Sequence, residues 1–349
     1  MASSNHKDVN IYDIARILNV STATVSRALK NNPAVNKTTR KKILATARKM
    51  GYRPNNFASN LRSQKTNTIG VIIHELNSNF IISVLTGIEK VTAETGYDII
   101  IAHSSETAAK EIANAHNLFY KRVDGLIASL AYDTENMEHF DPLFKKGIPV
   151  VFFDRVEEDT MGAKIVIDNV KAGAMATEHL VRQGCRDIVH MTGNIRRNVY
   201  ADRLRGYKEA ILANGLPYRE DRVIINDLSA EGAVEAARRI LAMQPRPDGL
   251  FVTNDFCASV CMQTLKEGGM KIPGDIAVVG FNNDIISTIV EPRLTTISYP
   301  GKEIGEVAAR HLITQLSQGK KISTTNKVIL SCRLIVRASS LKEPGAVPE

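Results

Sequence analysis

The sequence predicts an α/β protein in two unequal parts: a small, basic, all-helical head and a larger body of doubly wound parallel sheets. Three observations lead there. Residues 1–65 carry thirteen Lys and Arg against only Asp8 and Asp13, a net of +11 in a 349-residue chain whose total is +8, so the rest nets −3. Apolar residues in the first fifty positions recur at helical spacing. From residue 68, short Ile/Val-rich runs alternate with helical stretches, and the pattern restarts once. A compact basic segment on a near-neutral body points to a polyanion as the partner of the head.

In the head, Ile11, Ile14, Ala15 and Leu18 share a helical face, with Asn10 as the cap. Ser21 can cap a second helix, TATVSRAL, whose buried side is Val25 and Leu29. A third helix over residues 37–50 turns Ile43, Leu44, Ala47 and Met50 inward and Arg40, Lys41, Lys42, Arg48 and Lys49 outward, with Gly51 as its stop. A mini-core ringed by charge is an ordered domain rather than a disordered basic arm. Ala15 is small where two helices cross, and Asn19 stands at a turn position requiring positive φ, which Asn tolerates.

That pattern is a helix-turn-helix, whose second helix enters the major groove with its N-terminal residues toward base edges. Thr22, Ala23 and Arg27 are the outward residues. Arg27 can give two hydrogen bonds to guanine, while Thr22 and Ala23 suit smaller polar or methyl contacts. Ser21, Thr24, Ser26, Lys30, Asn36 and Thr39 read as phosphate contacts, or as ordinary solvated surface.

Pro54 ends the head, and NNFASNLRSQ follows, too short for a stable helix alone. The body then runs TIGVII, a helix to residue 95, YDIIIAH, a helix at 106–121, DGLIAS, a helix at 136–146, PVVFFD and IVIDN. It restarts as DIVHMTG, a helix at 200–214, RVIIND, a helix at 230–243, GLFVTND, a helix at 256–268 and IAVVGFN. LTTISYP, a helix at 301–318 and KVILSCRLIVRAS return to complete both lobes. Ligands of such sheets bind beyond the carboxyl ends of the strands. Those ends hold His74, Ser129, Asp154, Arg155, Gly193, Asn194, Asn254, Asp255, Phe281 and Asn282, a set suited to a hydroxyl-rich ligand, although an Asn or Asp there can equally be a helix cap.

Several classes are disfavoured. No run of 18 apolar residues suggests a membrane span, and MASSNHKDVN lacks the order of a secretory signal, so a cytoplasmic protein is expected. Cys185, Cys257, Cys261 and Cys332 form no metal or disulfide framework and read as reduced thiols. No dinucleotide fingerprint, Walker loop, nucleophile elbow or catalytic constellation is visible, so no enzyme, cofactor or metal is expected.

The segment IYDIARILNVSTATVSRALKNNPAVNKTTRKKILATARKMGYRPN resembles the DNA-binding head of the lactose-repressor (LacI/GalR) family, departing at Asn19 where Gly is usual. The resemblance continues through PVVFFDR, RLRGY, NDFCA, IAVVGFNND and EPRLTTI. It implies a helix-turn-helix over residues 1–53, a hinge helix and linker over 54–65, and an effector-binding, dimerising core over 66–349. Lobe 1 is expected at about 66–165 and 294–325, lobe 2 at about 166–293 and 326–341. It further implies a homodimer on double-stranded, palindromic operator DNA, with Asn55, Leu61 and Arg62 in the hinge, Leu61 as a minor-groove wedge. The implied core is periplasmic-binding-protein-like and senses a sugar-like small molecule, with a purine or a protein coeffector as alternatives. Arg203 is then the effector anchor, and Asp154, Asn254, Phe80 and Ser129 occupy pocket positions. Asn282 stands where relatives carry Asp, Leu228 replaces an aromatic, and His74 is an unusual pocket residue. Arg203 would also accept a sugar phosphate or sugar acid.

Overall fold

The computed structural model describes residues 9–52, 65–318 and 326–342, in two units that divide between residues 66 and 67. Residues 54–64 of the predicted hinge, with Asn55, Leu61 and Arg62, lie outside the described residues.

The head contains α1 (Ile11–Leu18), α2 (Thr22–Leu29) and α3 (Lys37–Lys49). Asn10 caps α1 in a full capping box with Asp13, and Ser21 caps α2 by accepting the Thr24 N–H. Asn19 takes the left-handed conformation at φ 50°, as the turn between the two helices requires. Ile14, Ala15, Val25, Ala28, Val35, Ile43 and Ala47 form the core. Two expectations need correction. Leu29 is only half-buried, and Leu44 is 42% exposed because Ile43 and Ala47 already fill the inner stripe of α3.

The body begins with β1 (Thr68–Ile73), α4 (Asn79–Thr95), β2 (Asp98–His103), α5 (Ala108–Tyr120), β3 (Gly125–Ala128), α6 (Asp141–Lys145), β4 (Val150–Phe153) and β5 (Ala163–Ile167). It continues with α7 (Asn169–Arg182), β6 (Ile188–Thr192), α8 (Asn198–Ala213), β7 (Val223–Ile225), α9 (Ala230–Ala242), β8 (Gly249–Val252), α10 (Asp255–Glu267), β9 (Ala277–Asn282) and α11 (Ile286–Ile289). Last come β10 (Thr295–Ser298), α12 (Gly301–Gln318), β11 (Lys327–Leu330) and β12 (Arg333–Ile335). The first sheet, ordered β11-β5-β4-β3-β1-β2, is parallel throughout; the second, β12-β10-β9-β8-β6-β7, is parallel except for β12. The near-continuous Ile/Val character of the inner strands reflects burial on both faces by helices.

The late lobe boundaries differ from the expectation. Thr295–Ser298 pairs with β9 and belongs to the second sheet, not to lobe 1. Lys327–Leu330 pairs with β5 in the first sheet, not in lobe 2. Residues 294–325 and 326–341 each therefore divide between the lobes. The chain crosses between sheets after β5, after β10 and between β11 and β12. Three crossings therefore join the two sheets.

Candidate DNA interface and effector cleft

On the head, Ala23 and Arg27 of α2 are exposed, and Thr22, Thr24 and Ser26 are half-buried on the same short helix. Because Ser21 caps α2, its first turn presents backbone N–H groups and the positive end of the helix dipole beside Thr22 and Ala23. Three of the expected phosphate contacts already have an intramolecular role. The Ser21 hydroxyl bonds Thr24 Oγ1 at 2.8 Å, and Asn36 accepts the Thr38 N–H at 2.8 Å as the cap of α3. Lys30 is exposed and Thr39 half-buried. Arg40 donates to Asn31, fixing the loop between α2 and α3.

In the body, the expected pocket residues fall into three groups. The first is built on Arg203. Its guanidinium is 3% exposed and stacks on the Phe281 ring at 3.6 Å. Nε donates to Asn169 Oδ1 at 2.9 Å and Nη1 to the Thr253 carbonyl at 3.1 Å. Among the described residues no carboxylate lies in ion-pair range of Arg203, and burial lowers its pKa. The hydroxyls of Thr192 and Thr253, at the ends of β6 and β8, are buried with no partner. Asp154 joins this group through Tyr299, whose hydroxyl donates to Oδ1 at 2.7 Å. Burial raises the Asp154 pKa against the pull of Arg155, the Tyr299 hydrogen bond and Arg203.

The second group surrounds Arg155, which is 4% exposed. It gives Nη1 to Glu106 at 2.6 Å and Nη2 to the Tyr200 hydroxyl at 3.0 Å. Beside it His74 Nδ1 meets Ser129 Oγ at 3.0 Å, and burial pushes the His74 pKa well below the usual value, leaving the ring neutral. This group also ties the sheets together. Asn198, at the start of α8, accepts the Val156 N–H and donates to the Asp154 carbonyl, and Arg197 donates to the Thr134 carbonyl at 2.6 Å.

The third group is less uniform. Phe80 stacks on Tyr299 at 4.2 Å and, with Asn282, lines a cavity of about 660 Å³ that also takes in Asn79, Ser83, Ile285 and Lys302. Asn254 is the cap of α10, its Oδ1 accepting the Cys257 N–H at 2.7 Å. Asp255 is a correction. It is fully buried, with Oδ1 bonded by Thr296 and Oδ2 by the Asp284 N–H, so it is spent inside the lobe rather than presented to a ligand. Burial raises its pKa to about 8. Its place is under the β9–α11 loop, which it anchors.

The sequence reading missed Tyr299, which links Phe80, Asp154 and Phe281. It also missed Glu106, Tyr132, Tyr200, Asn169 and Thr253. Tyr299 follows a strand end, in LTTISYP, and that position was its one available signal.

A helix-turn-helix with a basic surface, in one chain with a two-sheet body whose polar residues converge at the strand ends, defines a ligand-responsive DNA-binding transcription regulator. Comparison with known proteins supports that class. The profile of bacterial regulatory proteins of the lacI family matches residues 10–55, and that of the periplasmic binding protein-like domain matches residues 177–340. Catabolite control protein A of Priestia megaterium is 35% identical over 312 residues, 89% of this chain and 93% of that protein. The transcriptional repressor PurR of Photobacterium profundum is 30% identical, over 88% of this chain and 91% of its own. Among solved structures, the Lac repressor dimer bound to operator and the anti-inducer ONPF superposes with a TM-score of 0.86 at 25% identity, covering 96% of this chain and 100% of that one. The transcriptional regulator CelR–cellobiose complex gives 0.72 at 26% identity, covering 95% and 99%. The chain belongs to the LacI family of regulatory proteins.

Proposed function

We propose that this regulator binds a twofold operator as a homodimer in the cytoplasm, acts as a repressor, and senses a small, oxygen-rich effector in the cleft between its two sheets. It catalyses no reaction. The observation that carries the sensing half is Arg203, a buried cation whose hydrogen-bond acceptors are neutral and whose nearby carboxylate, Asp154, is not bonded to it, with two unpartnered hydroxyls, Thr192 and Thr253, near its end of the sheet. A buried guanidinium without a hydrogen-bonded carboxylate is costly, and a ligand oxygen supplies a further acceptor. The cellobiose complex of CelR agrees with a sugar-like ligand. For the dimer, large apolar side chains stay exposed on both halves of the body: Leu76 and Ile82 beside α4, Phe256 on α10, and Ile285 and Ile289 around α11. No helix among the described residues is long and apolar enough to cross a membrane.

On the DNA, Arg27, Thr22 and Ala23 read bases, and Ser21, Thr24, Ser26, Lys30, Asn36 and Thr39 contact phosphates. Asn55, Leu61 and Arg62 complete the interface from the hinge. In the cleft, Asp154, Phe80, Asn282, Ser129 and His74 surround the ligand held by Arg203, with Arg155 and Asn254 at its rim. Calorimetric titration of the purified chain with neutral sugars, sugar phosphates, sugar acids and purines tests the reading. One class is expected to give heat that Arg203→Ala abolishes, with operator binding retained. Silence from every class with operator binding intact overturns it, as does an equal loss of operator affinity in Arg203→Ala without effector. On the DNA side, Arg27→Ala is expected to weaken operator binding by about tenfold or more and relax the preference at one base pair, the scale of a lost bidentate contact.

A further inference from the structure

We propose that His74, Glu75 and Glu106 form a binding site for a divalent transition-metal ion at the carboxyl end of β1 and the loop after β2. One ligand atom from each of the three side chains lies within 4.8 Å of the others. They come together because Glu106 donates its backbone N–H to the His74 carbonyl at 3.0 Å, which pins the loop after β2 against the end of β1.

The site has features that a chance meeting of surface acids lacks. His74 is 4% exposed, and Ser129 holds its Nδ1, so among the described residues Nε2 has no partner. This imidazole is held in place at the carboxyl end of β1 with one ring nitrogen in the cluster. A hydrogen bond on the far ring nitrogen is the arrangement that orients metal-binding histidines. Glu75 has no hydrogen bond or ion pair among the described residues. Its carboxylate lies beside that of Glu106 and within the same 4.8 Å cluster as the His74 ring.

Arg155 is not that cation for both. It spends one nitrogen on Glu106 Oε2 and the other on Tyr200, and its group lies over the Tyr132 and Tyr200 rings. Oε1 of Glu106 and the whole Glu75 carboxylate are left for an ion. A mixed imidazole and carboxylate set selects Zn²⁺ or Mn²⁺ over Mg²⁺ and Ca²⁺, which prefer oxygen alone. Metal–ligand bonds of about 2.0–2.2 Å require the three atoms to draw closer, a movement within reach of the exposed Glu75 side chain. The ion and Arg155 would share the Glu106 carboxylate, one oxygen each.

Titration of the chelator-stripped full chain with ZnCl₂ and MnCl₂, in the absence of sugars and DNA, decides the matter. One ion per chain is expected. His74→Ala abolishes binding, Glu75→Gln and Glu106→Gln each weaken it by about tenfold or more, and Ser129→Ala weakens it by about tenfold through the second ring nitrogen. Glu75 is exposed, so Glu75→Gln with an unchanged melting curve keeps the test valid even where His74→Ala fails to fold. No binding at millimolar metal overturns the proposal. So does stoichiometric binding that Glu75→Gln and Glu106→Gln both leave unchanged, since the ion then sits elsewhere.

Discussion

His190 shows how far one residue's surroundings can set a property of the whole body. It lies in β6 stacked between Tyr207, at 5.1 Å, and Phe251, at 4.5 Å, with Nδ1 on the Phe251 carbonyl and Nε2 buried without a partner. Burial drives its pKa down from 6.5 to about 3. A histidine whose folded pKa is depressed stabilises the fold above its unfolded pKa and ceases to do so as pH falls toward the folded value. The loss is therefore expected between pH 6.5 and about 3, and its size is a few kcal/mol at about 1.4 kcal/mol per pKa unit. His190→Phe keeps the ring stack and removes the titration. Its melting temperature should fall less steeply than the parent's on acidification from pH 6.5 to 4. Parallel curves for the two chains would mean that other groups govern the acid limb.

At the scale of elements, the Arg203 anchor depends on a close helix crossing. A Cβ on Gly206 of α8 would stand 2.0 Å from the Val170 carbonyl oxygen, and one on Gly173 of α7 would stand 2.3 Å from the carbonyl oxygen of Arg203 itself. The glycine three residues after Arg203 in RLRGY thus sets how deep the guanidinium sits. Gly206→Ala must separate two backbones, at a cost of about 1–3 kcal/mol or more. We expect a melting point several degrees lower and a weaker response to any effector that binds Arg203; an unchanged melting curve would show that α7 and α8 yield freely. At the turn of the head, Asn19 at φ 50° makes the converse case: Asn19→Gly should leave the head's stability nearly unchanged, and Asn19→Ala should lower it by about 1 kcal/mol in a denaturant melt.

These elements also show what the sequence could and could not tell. Caps and turns such as Asn10, Ser21 and Asn19 are local, and so are the Ile/Val runs, which is why the helices of the head and the succession of strands and helices along the body could be read directly. The late segments could not. Whether TTIS joins the first sheet or the second depends on partners some fifteen or more residues away, and KVIL and RLI sit three residues apart yet in different sheets. The cleft was legible as a set of strand ends, but its contacts were not. An Asp at the start of α10 looks the same in sequence whether it faces a ligand or, as Asp255 does, turns under the sheet to hold a loop. Tyr299 acquires its role only because the chain crosses between lobes there.

For the molecule as a whole, the separation of charge from sensing yields a test of assembly. Residues 1–65 hold the entire positive excess, so each head delivers its own set of phosphate contacts. Each phosphate neutralised contributes about −0.9 to the slope of log K against log salt, and a dimer on a twofold site adds the contributions of both heads. Breaking the dimer should therefore change two measurements together. Phe256, 51% exposed, and Ile289, 68% exposed, belong to the core rather than to the head, so charging them leaves the DNA-contacting surface as it was. Phe256→Asp with Ile289→Asp is expected to give monomers in sedimentation experiments, to lower operator affinity by orders of magnitude at moderate salt, and to bring the salt slope down to about half. Lower affinity at an unchanged slope would mean that both heads still engage and that the substitutions act through the core. A dimer that persists with full affinity would place the contact between copies on another face.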